Sequence, residues 1–394
     1  MRVSVVSLMK DKDSTKKEKK KKHEHVPYNS VYVEPGTRVA KVHCAIAEGV
    51  KGGKSLVPTM KKINAKKKHF SAVSTFSGCG GGSVGMKMAS FNVLWANEFI
   101  PAAQDTYKLN NPDTHLDCRD IRTVKTSHIL KRCGLRKYEL DLFEGSPPCK
   151  GFSTAGVQEE GWGKEVLYSD GVYQRVDDLF DHYTRLLREL QPKVFIAENV
   201  AGLIKGVSRG AFKAIFDDFT KCGYKVKAAL IEPVKLGIPQ TRDRLIYVGV
   251  RNDIPFDPVF PSVQRDVVAV RDLLPNIVQI KTKLKGFMRY VPADRPSPTI
   301  VASDFDTGEN ASFSCGGWVE DDKGRRRKYN LDELRRLMTF PDDFLLTGSP
   351  RQQWERLGRS HAPLQVYHIA KALRDNVLVP YYDSKNAKYT ENIE

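Results

Sequence analysis

The stretch Phe76-Ser-Gly-Cys-Gly-Gly-Gly-Ser-Val-Gly85 constrains this chain more than any other. It follows Phe70–Phe76, which reads as a strand, and opens a helical stretch. A glycine-rich turn between strand and helix belongs to the βα units of a parallel sheet. Gly80, Gly82 and Gly85 satisfy G-x-G-x-x-G, and Glu98 closes the next strand-like run, Asn92–Ala96. Glycines let a turn approach a ligand, and an acid after the second strand can bind ribose hydroxyls. Three readings stay open on the loop alone: a dinucleotide, another adenosine cofactor such as S-adenosylmethionine, or a plain structural turn.

Alternation continues along the chain. Asp141–Phe143, Phe195–Ala197 and Leu245–Val250 read as further strands, and Val176, Leu179, Phe180, Tyr183, Leu186, Leu187 and Leu190 share one helix face. The fold class is α/β, a Rossmann-like sheet with helices on both faces. After Asn252 the prolines at 255, 258, 261, 275, 292, 296 and 298 predict a stretch poor in regular elements. We divide the chain into a basic, partly disordered extension (1–68), a catalytic domain (69–252), a small target-recognition region (253–345) and a C-terminal segment returning to the catalytic domain (346–394).

The net charge is +17, and residues 1–70 hold 18 Lys and Arg against 6 Asp and Glu. That excess favours a polyanion such as nucleic acid, although the run Lys16–Lys22 also reads as a solvated tail. Seven cysteines without CxxC spacing predict a reducing compartment, no disulfide framework and no metal. No apolar run approaches the ~20 residues of a membrane span. The expected location is intracellular, the cytoplasm of a bacterium or phage-infected host, with a nucleus also open.

Glu144-Gly-Ser-Pro-Pro-Cys-Lys-Gly-Phe-Ser153 places a thiol between a stiff proline pair and a glycine-rich loop running to about Val172. Such a position presents a nucleophile rather than burying it. Glu198 ends a strand at the same sheet edge and can serve as a proton donor beside Cys149. In Gln240-Thr-Arg-Asp-Arg244 the alternation points Arg242 and Arg244 one way, suited to a phosphate or a carbonyl oxygen. Asp120 alone reads as a helix cap, with Ile121 beside it.

Taken in order, these motifs resemble the cytosine-C5 DNA methyltransferases from about Ser71 to Leu378. FSGCGGG, Glu98, Asp120-Ile121, SPPCKGFS, ENV, QTRDR, RPSPTI at 295–300 and LMTFPDDF at 337–344 carry the resemblance. It implies S-adenosylmethionine as cofactor and double-stranded DNA as partner, with a monomer and no metal or membrane expected. It implies Cys149 as the nucleophile toward C6 of a flipped cytosine, Glu198 at N3 and the exocyclic amine, and Arg244 at O2, with Arg242 and Gln240 in support. For the cofactor it implies Phe76 and Phe99 against adenine, Gly78, Gly80 and Gly82 near the methionine part, Glu98 on ribose, and Asp120 with Ile121 at the adenine. Pro148 and Ser360 complete that set.

Three departures from the family pattern stand out. Lys150 replaces the usual Gln after the nucleophile, and with Ser153 is expected to touch DNA. Arg359 occupies the place of an Asn near the sulfonium. The expectation is that it swings away; the sharper alternative is a carboxy-S-adenosylmethionine cofactor and a 5-carboxymethylcytosine product. Only 42 residues separate Asn252 from Arg295, predicting a target on the order of two to four base pairs. Lys281, Lys283, Lys285 and Arg289, together with Arg242, are expected at the phosphates. A tRNA methyltransferase is a rival, although that branch carries a Cys-Phe-Thr motif this chain lacks; a silent DNA-binding homologue is another.

Overall fold

The computed structural model describes residues 54–148, 165–176, 178–204, 209–262, 267–284, 287–306, 308–309 and 317–391. Cys149, Lys150, Ser153, Lys285 and the Lys16–Lys22 run lie outside them.

The strands are β1 Phe70–Thr75, β2 Phe91–Asn97, β3 His115–Asp117, β4 Leu142–Gly145, β5 Glu165–Leu167, β6 Tyr173–Arg175, β7 Val194–Val200 and β8 Tyr224–Ile231. There follow β9 Gln240–Thr241, β10 Arg244–Arg251, β11 Ile277–Leu284, β12 Phe287–Pro292, β13 Ser297–Pro298, β14 Trp318–Asp321 and β15 Arg326–Lys328. The helices are α1 Met60–Ala65, α2 Gly81–Met88, α3 Pro101–Asn110, α4 Thr126–Cys133, α5 Leu179–Leu190 and α6 Arg209–Lys221. The remainder are α7 Val270–Leu273, α8 Leu331–Leu337, α9 Pro350–Arg359, α10 Pro363–Leu373 and α11 Val379–Glu391.

One seven-stranded sheet runs in the order β3-β2-β1-β4-β7-β10-β8. It is parallel except for β10, which is antiparallel to both β7 and β8. Its strands are apolar on both faces, as a sheet covered twice requires. Leu142, Val194, Ile196, Ile246 and Val248 enter one core with α2 and α10. The alternate residues Phe143, Phe195, Ala197, Leu245 and Tyr247 enter a second core with α5 and α6. The expected helix face is there: Leu179, Phe180, Tyr183, Leu186, Leu187 and Leu190 are all buried.

Strand order reverses direction between β1 and β4. In open α/β sheets the ligand crevice opens at the carboxyl ends of the strands flanking such a point. Here those ends are the glycine loop after β1 and Ser146-Pro147-Pro148 after β4.

One expectation needs correction. Residues 253–300 are not poor in regular structure: β11 and β12 form a long hairpin inside a four-stranded sheet, β12-β11-β14-β15. The prolines fall at its edges, and its half-exposed strands carry lysines that mask the strand signal. The last residues before 68 pack on the catalytic domain. Leu56, Val57, Met60 and Ile63 are buried in the first core, and Asp343 accepts the N–H of Met60 at 2.6 Å. The small region shares that same core through Ile277, Ile280, Val291 and Val319.

Candidate active site

The glycine loop is held open by its own backbone. Phe76, Gly78 and Gly80 have φ of 53°, 54° and 102°, and such values at a non-glycine residue cluster where a site imposes them. Glu98, just past β2, accepts the N–H of Gly78 at 2.7 Å and of Ile100 at 2.8 Å. Burial pushes the Glu98 carboxyl up, and those backbone donors pull it down. A Cβ added at Gly78 would meet nothing within 4 Å, so this backbone faces open space. At Gly81 it would lie 2.1 Å from the His361 carbonyl and 2.4 Å from Ser360 Oγ. The loop is therefore backed tightly by the segment after α9 and left free on the crevice side.

Asp120 accepts the N–H of Arg122 at 2.9 Å and pairs with its guanidinium at 2.9 Å. It caps a short 3-10 turn, and Ile121 beside it is buried in the second core. Phe76 and Phe99 are half-buried at the crevice rim.

On the other side of β4 stands a second group. Glu198 on β7 pairs with Arg244 at 2.5 Å, each side chain about one-seventh exposed (13% and 14%). Register places Ile246 opposite Glu198 and Val200 opposite Arg244, so the ion pair is a diagonal one across antiparallel strands. Near the same strand ends in the chain, Ser146 Oγ, Asn199 Nδ2 and Gln240 Oε1 are buried without hydrogen-bond partners. Such atoms are rare in a folded interior and are satisfied where a ligand or water enters.

Arg242 and Arg244 diverge in partner. Arg242 is buried and donates to the carbonyls of Ile300 at 3.1 Å and Gly358 at 2.7 Å. Burial drives its guanidinium well below the ordinary value. It ties the small region and the end of α9 to the sheet, which is a supporting role; it is not exposed to a DNA phosphate. Gln240 is likewise buried, its Nε2 reaching Met338 Sδ at 3.4 Å. In the small sheet Lys281 is 6% exposed and so is not a surface phosphate contact. Lys283 and Arg289 are exposed, and since Arg289 pairs with Thr282 the two point to opposite faces.

Arg359 turns away from the loop. It donates to Glu355 Oε1 at 2.8 Å and lies 4.7 Å over the Tyr168 ring. Glu355 also accepts the N–H of Ser169 at 2.9 Å, so the β5–β6 turn is clipped onto α9. Tyr168, Glu355 and Arg356 escaped the sequence reading, since nothing in their spacing marks a site; only the fold brings hairpin and helix together.

A model of the C-5 cytosine-specific DNA methylases matches residues 70–299, more than half of the chain. The chain belongs to that family. As a member it is a cytosine-C5 DNA methyltransferase. The methylase is 32% identical over 206 residues to the type II methyltransferase M.NgoPII of Neisseria gonorrhoeae, covering 51% of this chain and 55% of that protein. It is 27% identical over 332 residues to M1.HphI of Haemophilus parahaemolyticus, covering 76% and 86%. The fold matches a Spodoptera frugiperda DNMT2 structure with a TM-score of 0.60 at 18% identity, over 77% of the methylase and 99% of that chain. Among the described residues of the methylase, no helix is long and apolar enough to cross a membrane, and no cluster of metal-ligating side chains occurs.

Proposed function

We propose that this methylase uses S-adenosylmethionine to methylate C5 of a cytosine flipped out of double-stranded DNA, through a covalent adduct with Cys149. One observation carries the reading: the Glu198–Arg244 pair stands at the carboxyl edge of the sheet, one strand from Pro148, which leads directly to Cys149.

The crevice fits the cofactor. Gly78 faces open space, and Glu98 stands where ribose hydroxyls would bind. Bound there, the cofactor would supply an electrophilic methyl group. Phe76, Phe99 and Asp120 would hold its adenine end, with Gly80, Gly82 and Ser360 around the other.

C5 of cytosine is a poor nucleophile, so the chain must first enrich it in electrons. Cys149 as thiolate adds to C6, forming the S–C6 bond and moving the C5–C6 electron pair onto C5. Glu198 then offsets the charge developing at N3, and Arg244 holds O2. Once C5 has taken the methyl group that the cofactor would supply, loss of the C5 proton to a base re-forms the C5–C6 double bond and expels Cys149 as thiolate. The base reaches these groups only outside the stack. The Arg359–Glu355 bond supports methyl rather than carboxymethyl transfer, since the guanidinium already has an anion. Incubation with 5-fluorocytosine DNA tests the chemistry. A denaturation-stable adduct, lost in Cys149→Ala, is expected; nucleoside mass spectrometry should show 5-methylcytosine. Adduct formation by Cys149→Ala would sink the mechanism.

A further inference from the structure

The edge of the sheet opposite the glycine loop has a concavity of its own. Asp141 and Lys193 immediately precede β4 and β7, and β10, which starts beside Glu198, ends there at Arg251. Together with Tyr138 before β4, and Tyr381, Tyr382 and Lys385 on α11, they line a cavity of about 660 Å³. That volume suits a small ligand, and the methyl-transfer reading makes no use of this edge.

Its buried charges cancel in place. Lys193 pairs with Asp141 at 3.0 Å, and Arg251 pairs with Asp253 at 2.6 Å. Glu139, at the rim, accepts the Arg136 N–H at 2.8 Å. Each ring already meets a cation: Arg251 lies 5.0 Å from the Tyr138 centroid, Lys193 5.4 Å from Tyr382, and Lys385 4.9 Å from Tyr381. An ammonium guest would be repelled here. Tyr138 itself has φ of 77°, a conformation that is costly for a bulky side chain. Its N–H donates to the Leu190 carbonyl at 3.2 Å, and its own carbonyl accepts Arg251 at 3.2 Å, so the surroundings hold that strain in place. The ring so displayed is 52% exposed. Strain of this kind gathers at ligand clamps, and a core has no need of it.

Two exposed lysines border the cavity. Lys137 reaches the Tyr138 ring at 5.3 Å and Lys385 the Tyr381 ring, and neither makes an ion pair among the described residues. An exposed aromatic ring beside uncommitted cations recognises a planar ring that carries an anion. A bare phosphate would leave the ring unused, and an aliphatic chain would leave the lysines unused. We propose that this edge of the sheet binds a nucleotide, its base stacked on Tyr138 and its phosphate held by Lys137 and Lys385. A free mononucleotide and one residue of a single strand offer the same chemistry, and the test separates them.

The test uses the full chain with excess S-adenosylhomocysteine, which keeps adenosine probes out of the glycine-loop crevice. AMP and adenosine are titrated by calorimetry, and a short labelled oligodeoxyadenylate by fluorescence anisotropy. Tyr138→Ala should weaken AMP roughly five- to hundredfold, the scale of base–aromatic stacking, and Tyr138→Phe should keep its affinity. Because Tyr138 lies on the opposite edge, its loss reports this site whether or not the crevice is filled. The double variant Lys137→Ala with Lys385→Ala should weaken AMP about tenfold and leave adenosine unchanged. AMP binding without oligonucleotide binding assigns the site to free nucleotides; a tighter oligonucleotide that is also lost in Tyr138→Ala assigns it to single strands. If neither probe binds, or both bind Tyr138→Ala as well as wild type, the proposal is overturned. If Tyr138→Ala does not fold, the lysine pair decides: unchanged AMP affinity in that variant overturns the site.

Discussion

The two sides of β4 solve different problems. On the glycine-loop side, position is set by backbone: positive φ at 76, 78 and 80, two N–H groups on Glu98, and the segment after α9 so close that a methyl at Gly81 has no room. On the β7–β10 side, position is set by charge: Glu198 and Arg244 hold each other while Asn199 Nδ2 and Gln240 Oε1 stay unpaired. The first side is preformed for a ligand that is always the same. The second rests in a self-paired state and must exchange partners when a base arrives. Shape failures should therefore damage the glycine-loop side through stability, and charge failures should damage the other through rate.

The largest effect is expected at the thiol the second side serves. Cys149→Ala should lower methyl transfer by roughly 10³-fold or more, as loss of a covalent nucleophile does. S-adenosylhomocysteine affinity should hold. A variant that keeps more than about a tenth of wild-type turnover would remove covalent catalysis. Glu198→Gln comes next, at about 10²-fold or more in kcat. It also leaves Arg244 beside a neutral amide, yet cofactor affinity should change little. If affinity fell as far as rate, the separation of the two sides would be false.

Shape is tested at Gly81. Alanine there drives a Cβ to 2.1 Å from the His361 carbonyl, and backbone cannot step aside as a flexible side chain would. Overpacking of this kind costs about 1–3 kcal/mol, readable as a lower urea midpoint at unchanged m-value. Rate per folded, cofactor-loaded molecule should stay near wild type. A stable Gly81→Ala with slow chemistry would reverse the roles assigned to the two sides.

The glycine-loop side should also be the more acid-sensitive. His368, on the α10 helix that packs against α2, has its imidazole lowered to about 4 by burial. The unfolded chain, at about 6.5, binds a proton more readily, so stability is full above that value and is lost as pH falls through it toward 4. The expected loss is about 2 kcal/mol by pH 5. Unfolding midpoints measured from pH 7 to 5 should slope accordingly, and His368→Gln should flatten that slope. An unchanged slope would assign the acid response to other groups.

The glycine-loop side was also the more legible in sequence. A glycine run after a strand has few uses, and Glu98 and Gly78 lie close in the chain, so their bond is a local matter. Glu198 was legible because the carboxyl ends of parallel strands share an edge, and Arg244 because it opens a strand that runs back antiparallel from that same edge; Cys149 lies outside the described residues. For Arg242 the supporting role was legible and the phosphate contact was not borne out, because its acceptors, Ile300 and Gly358, come from segments 58 and 116 residues away. Lys281 failed for a related reason: in a strand of alternating lysines, only the packing against neighbouring elements says which one is buried. The β11–β12 hairpin was missed because its lysines read as loop, although the cross-strand pairing supplies what the apolar pattern does not.

Arg359 carries the smallest prediction and the one that bears on the transferred group. Its bond to Glu355 is nearly half exposed at the arginine end (45%), so the pair adds only about 0.2–1 kcal/mol, and the Tyr168 ring adds a similar amount. Arg359→Asn should leave Glu355 bonded to Ser169 and only loosen the clip. Amide exchange at 165–175 should accelerate by about three- to tenfold, with the glycine loop unaffected. The product should be 5-methylcytosine with either residue. A switch in product on this substitution would place the guanidinium at the transferred carbon and not on the hairpin. Unchanged exchange would show that the clip rests on Glu355 and Ser169 alone.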